Sequence, residues 1–438
     1  MTAAGAGLLP AWACACGRAR PREANGPNLL YIMADDLGYA DLSVYGRQDY
    51  QTPVLDGLAS EGVRLTQAYS AAPVCSPTRV ALMTGRYPAR LDVGLHEPLT
   101  THPTGLSPNE VTLPRLLKNA GYETALIGKW HLGTLPEFHP QRHGFDEFFG
   151  HLGPAIDYVN HTDTENRVHD LHDGSARVRI AGYATDLFTD RAVSFITRER
   201  TAPFFLSLQY NSPHWPWQAP GDPAVADSLL GRRGGTPDTF MKMMLNLDQS
   251  VGRVLEALRS SGLERDTLVI FTSDNGGEKF SSMGPLREAK MTLFEGGIRV
   301  AAIVRWPGVI PAATVSDQVA VTMDWTRSLL EAGGALPAEA PHFDGIDLLP
   351  ILRGEGPTVS RDLYWRTFQR TRHKALRSGN WKYLVTEDAT FLFDLASDTG
   401  ETTDLKTANL AEFARLESLY QAWEREVLPP IPLDPARA

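Results

Sequence analysis

The sequence predicts an α/β protein: a large, mainly parallel sheet flanked by helices, followed by a smaller antiparallel sheet closed by a helix. Three observations predict it. Four apolar runs each stop at polar residues: NLLYIMADDLG from Asn28, ETALIGKWHLG from Glu123, APFFLSLQYNSPH from Ala202 and DTLVIFTSDNGG from Asp266. Stretches of helical period lie between them, at 110–120 and 238–261. Beyond about residue 355, HKALRSGNWKYLV and ATFLFDLASD read as paired antiparallel strands, and 406–427 as an amphipathic helix.

Each element has a reason. Apolar runs uninterrupted by polar alternation are buried on both faces, and buried strands separated by helices pair in parallel. Ligand sites in such sheets lie beyond the carboxyl ends of the strands. The four polar strand ends therefore converge on one edge of the sheet.

Length and composition bound the rest. A chain of 438 residues is more than one hydrophobic core usually carries. It divides into an extension at 1–27, a large α/β domain at 28–350 and a small domain at 351–438. A net charge of −10 argues against nucleic acid or an anionic membrane as partner. An anionic substrate would need a local basic pocket against that field. No apolar run approaches the roughly 20 residues that span a bilayer.

The three cysteines, Cys14, Cys16 and Cys75, make no disulfide framework. Residues 3–16 are weakly apolar and Ala13-Cys14-Ala15 has the spacing of a cleavage site. No basic residue precedes that run, Pro10 interrupts it, and Arg18, Arg20 and Arg22 follow it. The extension reads as disordered chain or a weak signal segment. The compartment stays open between periplasmic or secreted and cytoplasmic, and the sequence fixes no oligomeric state.

The chemistry begins at CSPTRVALMTGR, residues 75–86. Ser76 suits an N-cap, Pro77 the first helical position and Gly85 the end of the helix. Cys75 then precedes a helix N-terminus, where N–H groups and the dipole favour anions, with Arg79 one turn on. Alone, this pair also describes a buried structural cysteine. In GYETALIGKWHLG, residues 121–133, Lys129 and His131 project from one side if the strand continues. Asp35, Asp36, Asp274 and Asn275 are hard oxygen donors suited to Ca²⁺ or Mg²⁺. Asp35 and Asp36 share an ion only if the strand ends there, and Gly38 supplies the turn. Each pair alone is an ordinary turn; two such pairs closing strands of one sheet make a site.

C-S-P-T-R followed by M-T-G-R, together with GYETALIGKWHLG, resembles the two signatures of the type I, formylglycine-dependent sulfatases. These are arylsulfatase-like members of the alkaline phosphatase superfamily. The resemblance spans roughly residues 28–400 and implies an alkaline-phosphatase-like fold and sulfate monoester hydrolysis. It implies that a separate maturation enzyme converts Cys75 to formylglycine, whose hydrate attacks sulfur and later expels sulfate. It also implies Ca²⁺, or Mg²⁺, held by Asp35, Asp36, Asp274 and Asn275 beside Cys75. The catalytic set it implies adds Arg79, Lys129, His131, His214 in NSPHWPW and Lys290 in GPLREAKMTLFEGG. In that set Asp274 polarises the attacking hydroxyl, His214 faces the leaving oxygen with Lys290, and His131 takes the last proton. Family sequences often have glycine just before this lysine, where Glu288 and Ala289 stand here.

Two other readings share these residues: a phosphate or phosphonate ester hydrolase of the same superfamily, and a sulfated-glycan binder that leaves Cys75 unconverted. Loops at 134–180 and 215–235 are placed to choose the alcohol, a sugar or an aryl group. The first holds His139, His143, His151, His161, His169 and His172. These read as solvated or substrate-reading side chains, with a second ion at His169 and His172 the competing reading. Trp215 and Trp217 suit either stacking on a ring or packing.

Overall fold

The structure is a computed structural model that describes residues 1, 26–99, 104–223, 234–339, 341–367 and 372–430. The readings of Cys14, Cys16 and the extension fall outside the described residues, as does part of the loop at 215–235.

The large sheet contains β1 (Asn28–Asp35), β2 (Val63–Tyr69), β3 (Glu123–Lys129), β4 (Glu147–His151), β5 (His172–Asp173), β6 (Ala176–Arg177), β7 (Phe204–Pro213), β8 (Thr267–Ser273), β9 (Arg299–Arg305), β10 (Thr314–Ser316) and β11 (Ala320–Val321). Its order is β10-β2-β9-β8-β1-β7-β3-β4-β5-β6, with β11 beside β2. The centre, β8-β1-β7-β3-β4, is parallel throughout. The flanks are not: β9 runs antiparallel to both β8 and β2, and β5 antiparallel to β4.

The helices are α1 (Pro53–Ser60), α2 (Cys75–Thr84), α3 (Leu113–Asn119), α4 (Ala184–Thr197), α5 (Pro237–Ser260), α6 (Glu295–Ile298), α7 (Thr322–Ala332), α8 (Leu349–Leu352) and α9 (Leu410–Glu424). The two-residue period of β1 divides the core. Leu30 and Ile32 pack with Phe188 of α4 and Met244 of α5, whereas Leu29 and Tyr31 pack with Val80 of α2, Leu117 of α3 and Trp325 of α7. α3 starts three residues later than the pattern at 110–120 predicts, because Thr112 is extended and Pro114 sits in the first turn. No helix among the described residues is long and apolar enough to cross a membrane.

The small sheet is β12 (Asp362–Arg366), β13 (Lys374–Ser378), β14 (Trp381–Val385) and β15 (Thr390–Asp394), an antiparallel meander with α9 against it. The first expected segment, HKALRSGNWKYLV, folds as the hairpin β13–β14, the second supplies β15, and β12 is an addition to them. Trp365, Leu376 and Tyr420 of this unit share a core with Tyr69, Ala81, Leu293 and Met323 of the large one. We propose that the division near residue 350 separates two folding units that share this core.

Candidate active site

The carboxyl ends of β1, β3, β7 and β8 meet at one edge of the sheet, as their polar ends predict. β1 stops at Asp35, and Asp36 turns into the left-handed region with φ +63°. That turn brings two adjacent carboxylates, which a strand would point oppositely, to the same side. It is fastened by the Asp36 N–H, which donates to Asp274 Oδ1 at 3.1 Å. The chain then passes close under its neighbour: a Cβ at Gly38 would lie 2.6 Å from the Ser282 carbonyl oxygen, so only glycine fits. Asp41 locks the turn, accepting from Gly38 N at 2.7 Å, Ser282 N at 2.7 Å and Arg47 at 2.8 Å.

Cys75 is the first residue of α2, with Val74 as an extended N-cap that lends no side-chain bond. This moves the helix start two residues earlier than Ser76 and Pro77 predict. Gly85 closes the helix at φ +67°, its N–H bonded to Ala81 O. The Cys75 thiol lies at the open end of the helix, 3.3 Å from Asp35 Oδ1 and 3.9 Å from Asp36 Oδ1. Ligand atoms of Asp35, Asp36, Cys75 and His214 lie within 4.8 Å of one another, all buried. Asn275 donates its amide to Asp36 Oδ1 at 2.7 Å, and its own buried Oδ1 has no partner. An orphaned amide oxygen beside three carboxylates is what a hard divalent cation would use, so the residues present fit such an ion.

Cations enclose the carboxylates. Lys129 Nζ is 2.6 Å from Asp35 Oδ2, and Lys290 Nζ is 2.7 Å from Asp36 Oδ2. Arg79 spans the floor, donating to Asp274 Oδ2 at 2.9 Å, Lys129 O at 3.1 Å and Gln209 Oε1 at 3.1 Å. β3 ends at Lys129, not at His131 as the sequence suggests: His131 sits at φ +54°, and that turn carries it into the pocket region. Neither ring nitrogen of this buried histidine makes a hydrogen bond, although Glu97 Oε1 stands 3.4 Å from Nε2. Lys290 is reached through left-handed backbone at Glu288, φ +60°, and Met291, φ +81°. Here a glutamate takes a conformation that glycine takes freely.

Burial and pairing set the protonation states. Burial, with Asp274 and Asp35 beside it, pushes the Cys75 thiol well above its usual range. It is a neutral thiol, unlike the depressed thiolate of a cysteine nucleophile. Burial acts to raise Asp36, but Lys290, His214 and Lys129 outweigh it and hold the carboxyl below its usual range. Burial and Asp35 raise Asp274 to about 6. Burial, with Lys129 and Arg79, keeps His131 far below the usual histidine range. His214 is likewise depressed by burial against the pull of Asp36. Its Nδ1 lies 2.5 Å from Trp215 O, so Nδ1 carries the hydrogen and Nε2 turns a lone pair towards Asp36 Oδ2, 3.5 Å away.

The structure thus brings all ten sequence-derived positions to one edge. It leaves out the histidine pair read as a second ion site: His169 has both ring nitrogens on carbonyl oxygens, of Asn160 and Val178, and His172 bonds Asp170, whereas buried His151 pairs with Lys129 at the end of β4. Among the described residues the site above is the single cluster of metal-binding type. Trp217 is packed edge-on against Phe280, while the half-buried Trp215 ring lies 4.9 Å from that of His214.

Sequence reasoning missed several neighbours. Gln209 and Asn211 sit in the run QYN at the end of β7, and Asn211, 3% exposed, has neither amide atom bonded. Two polar residues closing an apolar strand were the available signal. Glu97 and Glu278 carried none, being single acids in loops.

Comparison with known proteins gives concordant matches. The sulfatase family model matches residues 27–335, and that of the N-sulphoglucosamine sulphohydrolase C-terminal region matches 289–420. N-acetylgalactosamine-6-sulfatase of Canis lupus familiaris is 37% identical over 370 residues, covering 77% of this chain and 68% of that protein. Arylsulfatase A of Bos taurus is 34% identical, over 87% of this chain and 84% of the relative. The crystal structure of Ps i-CgsB in complex with k-i-k-neocarrahexaose superposes with a TM-score of 0.84 at 30% identity, covering 93% and 94% of the two chains.

Proposed function

The chain belongs to the sulfatase family and hydrolyses sulfate monoesters, and we propose that its substrates are sulfated carbohydrates and that the ten residues above perform the reaction. The observation that carries the reading is the convergence of Asp35, Asp36, Cys75 and His214 at the start of α2.

Formylglycine made from Cys75, whose thiol stands where its oxygens would, supplies as the hydrate a hydroxyl nucleophile and a second hydroxyl for expelling sulfate. A divalent cation, Ca²⁺ in our proposal, supplies positive charge where sulfuryl oxygens gather negative charge. Asp35, Asp36, Asp274 and Asn275 would hold it. Arg79, fixed by Asp274 and the Lys129 carbonyl, and Lys129, fixed by Asp35, orient the nucleophile from the floor.

Proton traffic divides between the two histidines and Lys290. Lys290 is held charged: despite burial, the Asp36 carboxylate beside it raises it well above its usual range. It is the donor towards the leaving oxygen. His214, with its lone pair on Nε2, would take up the proton that the attacking hydroxyl loses and pass it to the leaving oxygen. His131, neutral and unbonded, takes the proton released when sulfate departs. His214→Ala is expected to slow esters of poorly acidic alcohols more than activated aryl sulfates. A uniform loss across leaving groups would remove His214 from that role.

The carbohydrate reading draws on the names of the relatives, one an N-acetylgalactosamine-6-sulfatase and one solved in complex with k-i-k-neocarrahexaose. The partly accessible Trp215 ring beside His214 offers a face for a sugar. Sulfate release from sulfated mono- and oligosaccharides, measured against aryl sulfates with the matured enzyme, tests it. A higher kcat/KM on every aryl sulfate than on any glycan would overturn it.

A further inference from the structure

Two carboxylates stand against His131 and Lys290, the groups that flank the bound ester, without belonging to the set of ten. Glu97 Oε1 is 3.4 Å from His131 Nε2, and Glu278 Oε1 is 3.3 Å from Lys290 Nζ. They come from different loops. Glu97 lies between α2 and α3, and Glu278 follows the Asp274-Asn275-Gly276-Gly277 turn. Neither makes the contact that holds the site together: Lys290 is already paired with Asp36 at 2.7 Å, and His131 sits in its turn by its own backbone.

From this arrangement we propose that Glu97 and Glu278 are specificity residues that favour a singly charged sulfate ester over a doubly charged phosphate ester. The inference rests on the sulfatase reading of the site. The protein's inner groups balance among themselves, the carboxylates of Asp35, Asp36 and Asp274 facing the cations of Arg79, Lys129 and Lys290. The divalent cation they would hold therefore leaves a net positive charge that attracts either anion. Sulfate and phosphate monoesters have nearly the same tetrahedral shape, so shape does not separate them. Charge does, because a phosphate monoester loses its second proton near pH 6 whereas a sulfate monoester stays a monoanion. Two carboxylates beside His131 and Lys290 repel each unit of negative charge on the ligand, and so penalise the dianion one unit more. One unit charge about 10 Å away in an effective dielectric near 20 changes binding roughly tenfold. The Glu278 side chain is 13% exposed and that of Glu97 32%, so water screens Glu97 more and its effect is the smaller.

The test compares phenyl sulfate and phenyl phosphate, which share one alcohol, in the matured enzyme and in Glu97→Gln and Glu278→Gln. Binding is read as inhibition of sulfate-ester turnover. It is read again by calorimetry on the same variants in a Cys75→Ala background, which cannot turn over. At pH 8 the affinity ratio of sulfate to phosphate should fall about tenfold in Glu278→Gln, less in Glu97→Gln, and further in the double variant. At pH 5, where both ligands are monoanions, the ratio should change less than threefold. A ratio unmoved at pH 8, a parallel loss for both ligands, or no phosphate binding in any variant overturns the proposal. Absence of sulfate-ester turnover in the unsubstituted enzyme would instead count against the sulfatase reading beneath it.

Discussion

Two clusters of buried charge can be set side by side in this molecule. One is the site at the sheet edge. The other joins the two sheets: Lys382 Nζ lies 2.9 Å from Glu295 Oε1 and 2.8 Å from Glu401 Oε1, and Tyr69 donates to Glu295 Oε2 at 2.6 Å. Both are buried, both alternate acid and base, and both shift protonation strongly. Glu295 is lowered to about 2, its burial outweighed by Lys382, Arg299 and Arg377, while burial and Glu295 raise Glu401 to about 7. Shifted pKa values alone therefore do not mark function. What separates the clusters is saturation. At the junction Lys382 and Tyr69 donate to Glu295, the Glu295 N–H donates to Glu401 Oε2 at 2.6 Å, and the one atom of these groups without a hydrogen bond, Glu401 Oε1, is ion-paired with Lys382. At the sheet edge Asn275 Oδ1, both amide atoms of Asn211 and the ring nitrogens of His131 make no hydrogen bond. A saturated cluster holds the protein together; an unsaturated one waits for a ligand.

The largest expected effect lies at the site. Cys75→Ala should lower sulfatase kcat by at least about a thousandfold, since the nucleophile is gone. Its midpoint of thermal unfolding should barely move, and a large fall would mean that Cys75 is structural after all. Lys382→Met should do the reverse. It leaves Glu401 buried without its cation and Glu295 with Arg299 alone at 3.4 Å, at a cost of about 3–5 kcal/mol by denaturant titration, with kcat per folded molecule unchanged. A loss of kcat in the folded fraction would break the comparison. Chelation and readdition of Ca²⁺ sharpen it further. At about 100 times its Kd, Ca²⁺ should stabilise the stripped protein by roughly 2.7 kcal/mol and restore activity, and it should leave the Lys382→Met deficit in place. Mg²⁺ restoring activity better than Ca²⁺ would correct the identity of the ion.

The smallest effect is a pH dependence. The folded pKa of Glu401 is raised from 4.5 to about 7, so the native state binds more protons than the unfolded one across that interval. This contribution to stability is present below about pH 4.5 and lost as pH rises to about 7. Glu401→Gln should flatten that fall by about 2 kcal/mol, measured by denaturation at pH 5 and pH 7.5. An unchanged slope would place the proton elsewhere.

How much of this was legible in the sequence follows the physics of each signal. Apolar runs that stop at polar residues announced the four central strands and the edge where they meet. The helix at 238–261 was equally plain, since its period runs over six turns and the structure forms it from Pro237 to Ser260. Local propensity misjudged termini that tertiary contacts decide. Cys75 enters the helix because its backbone is fixed between β2 and the floor of the site, and His131 leaves the strand by a left-handed turn. The antiparallel flank at β9 was invisible, because strand direction depends on pairing across the fold. Glu97 and Glu278 were invisible for a related reason: a lone acid in a loop has no pattern, and its meaning is the neighbour it meets.

The account turns on Cys75 being a precursor and not a thiol catalyst. The most direct measurement is the mass of the peptide containing Cys75, from protein matured in its native host and active on a sulfate ester. Conversion of CH₂SH to an aldehyde removes about 18 Da, and that shift is the result the account predicts. An unmodified cysteine in active protein would contradict it.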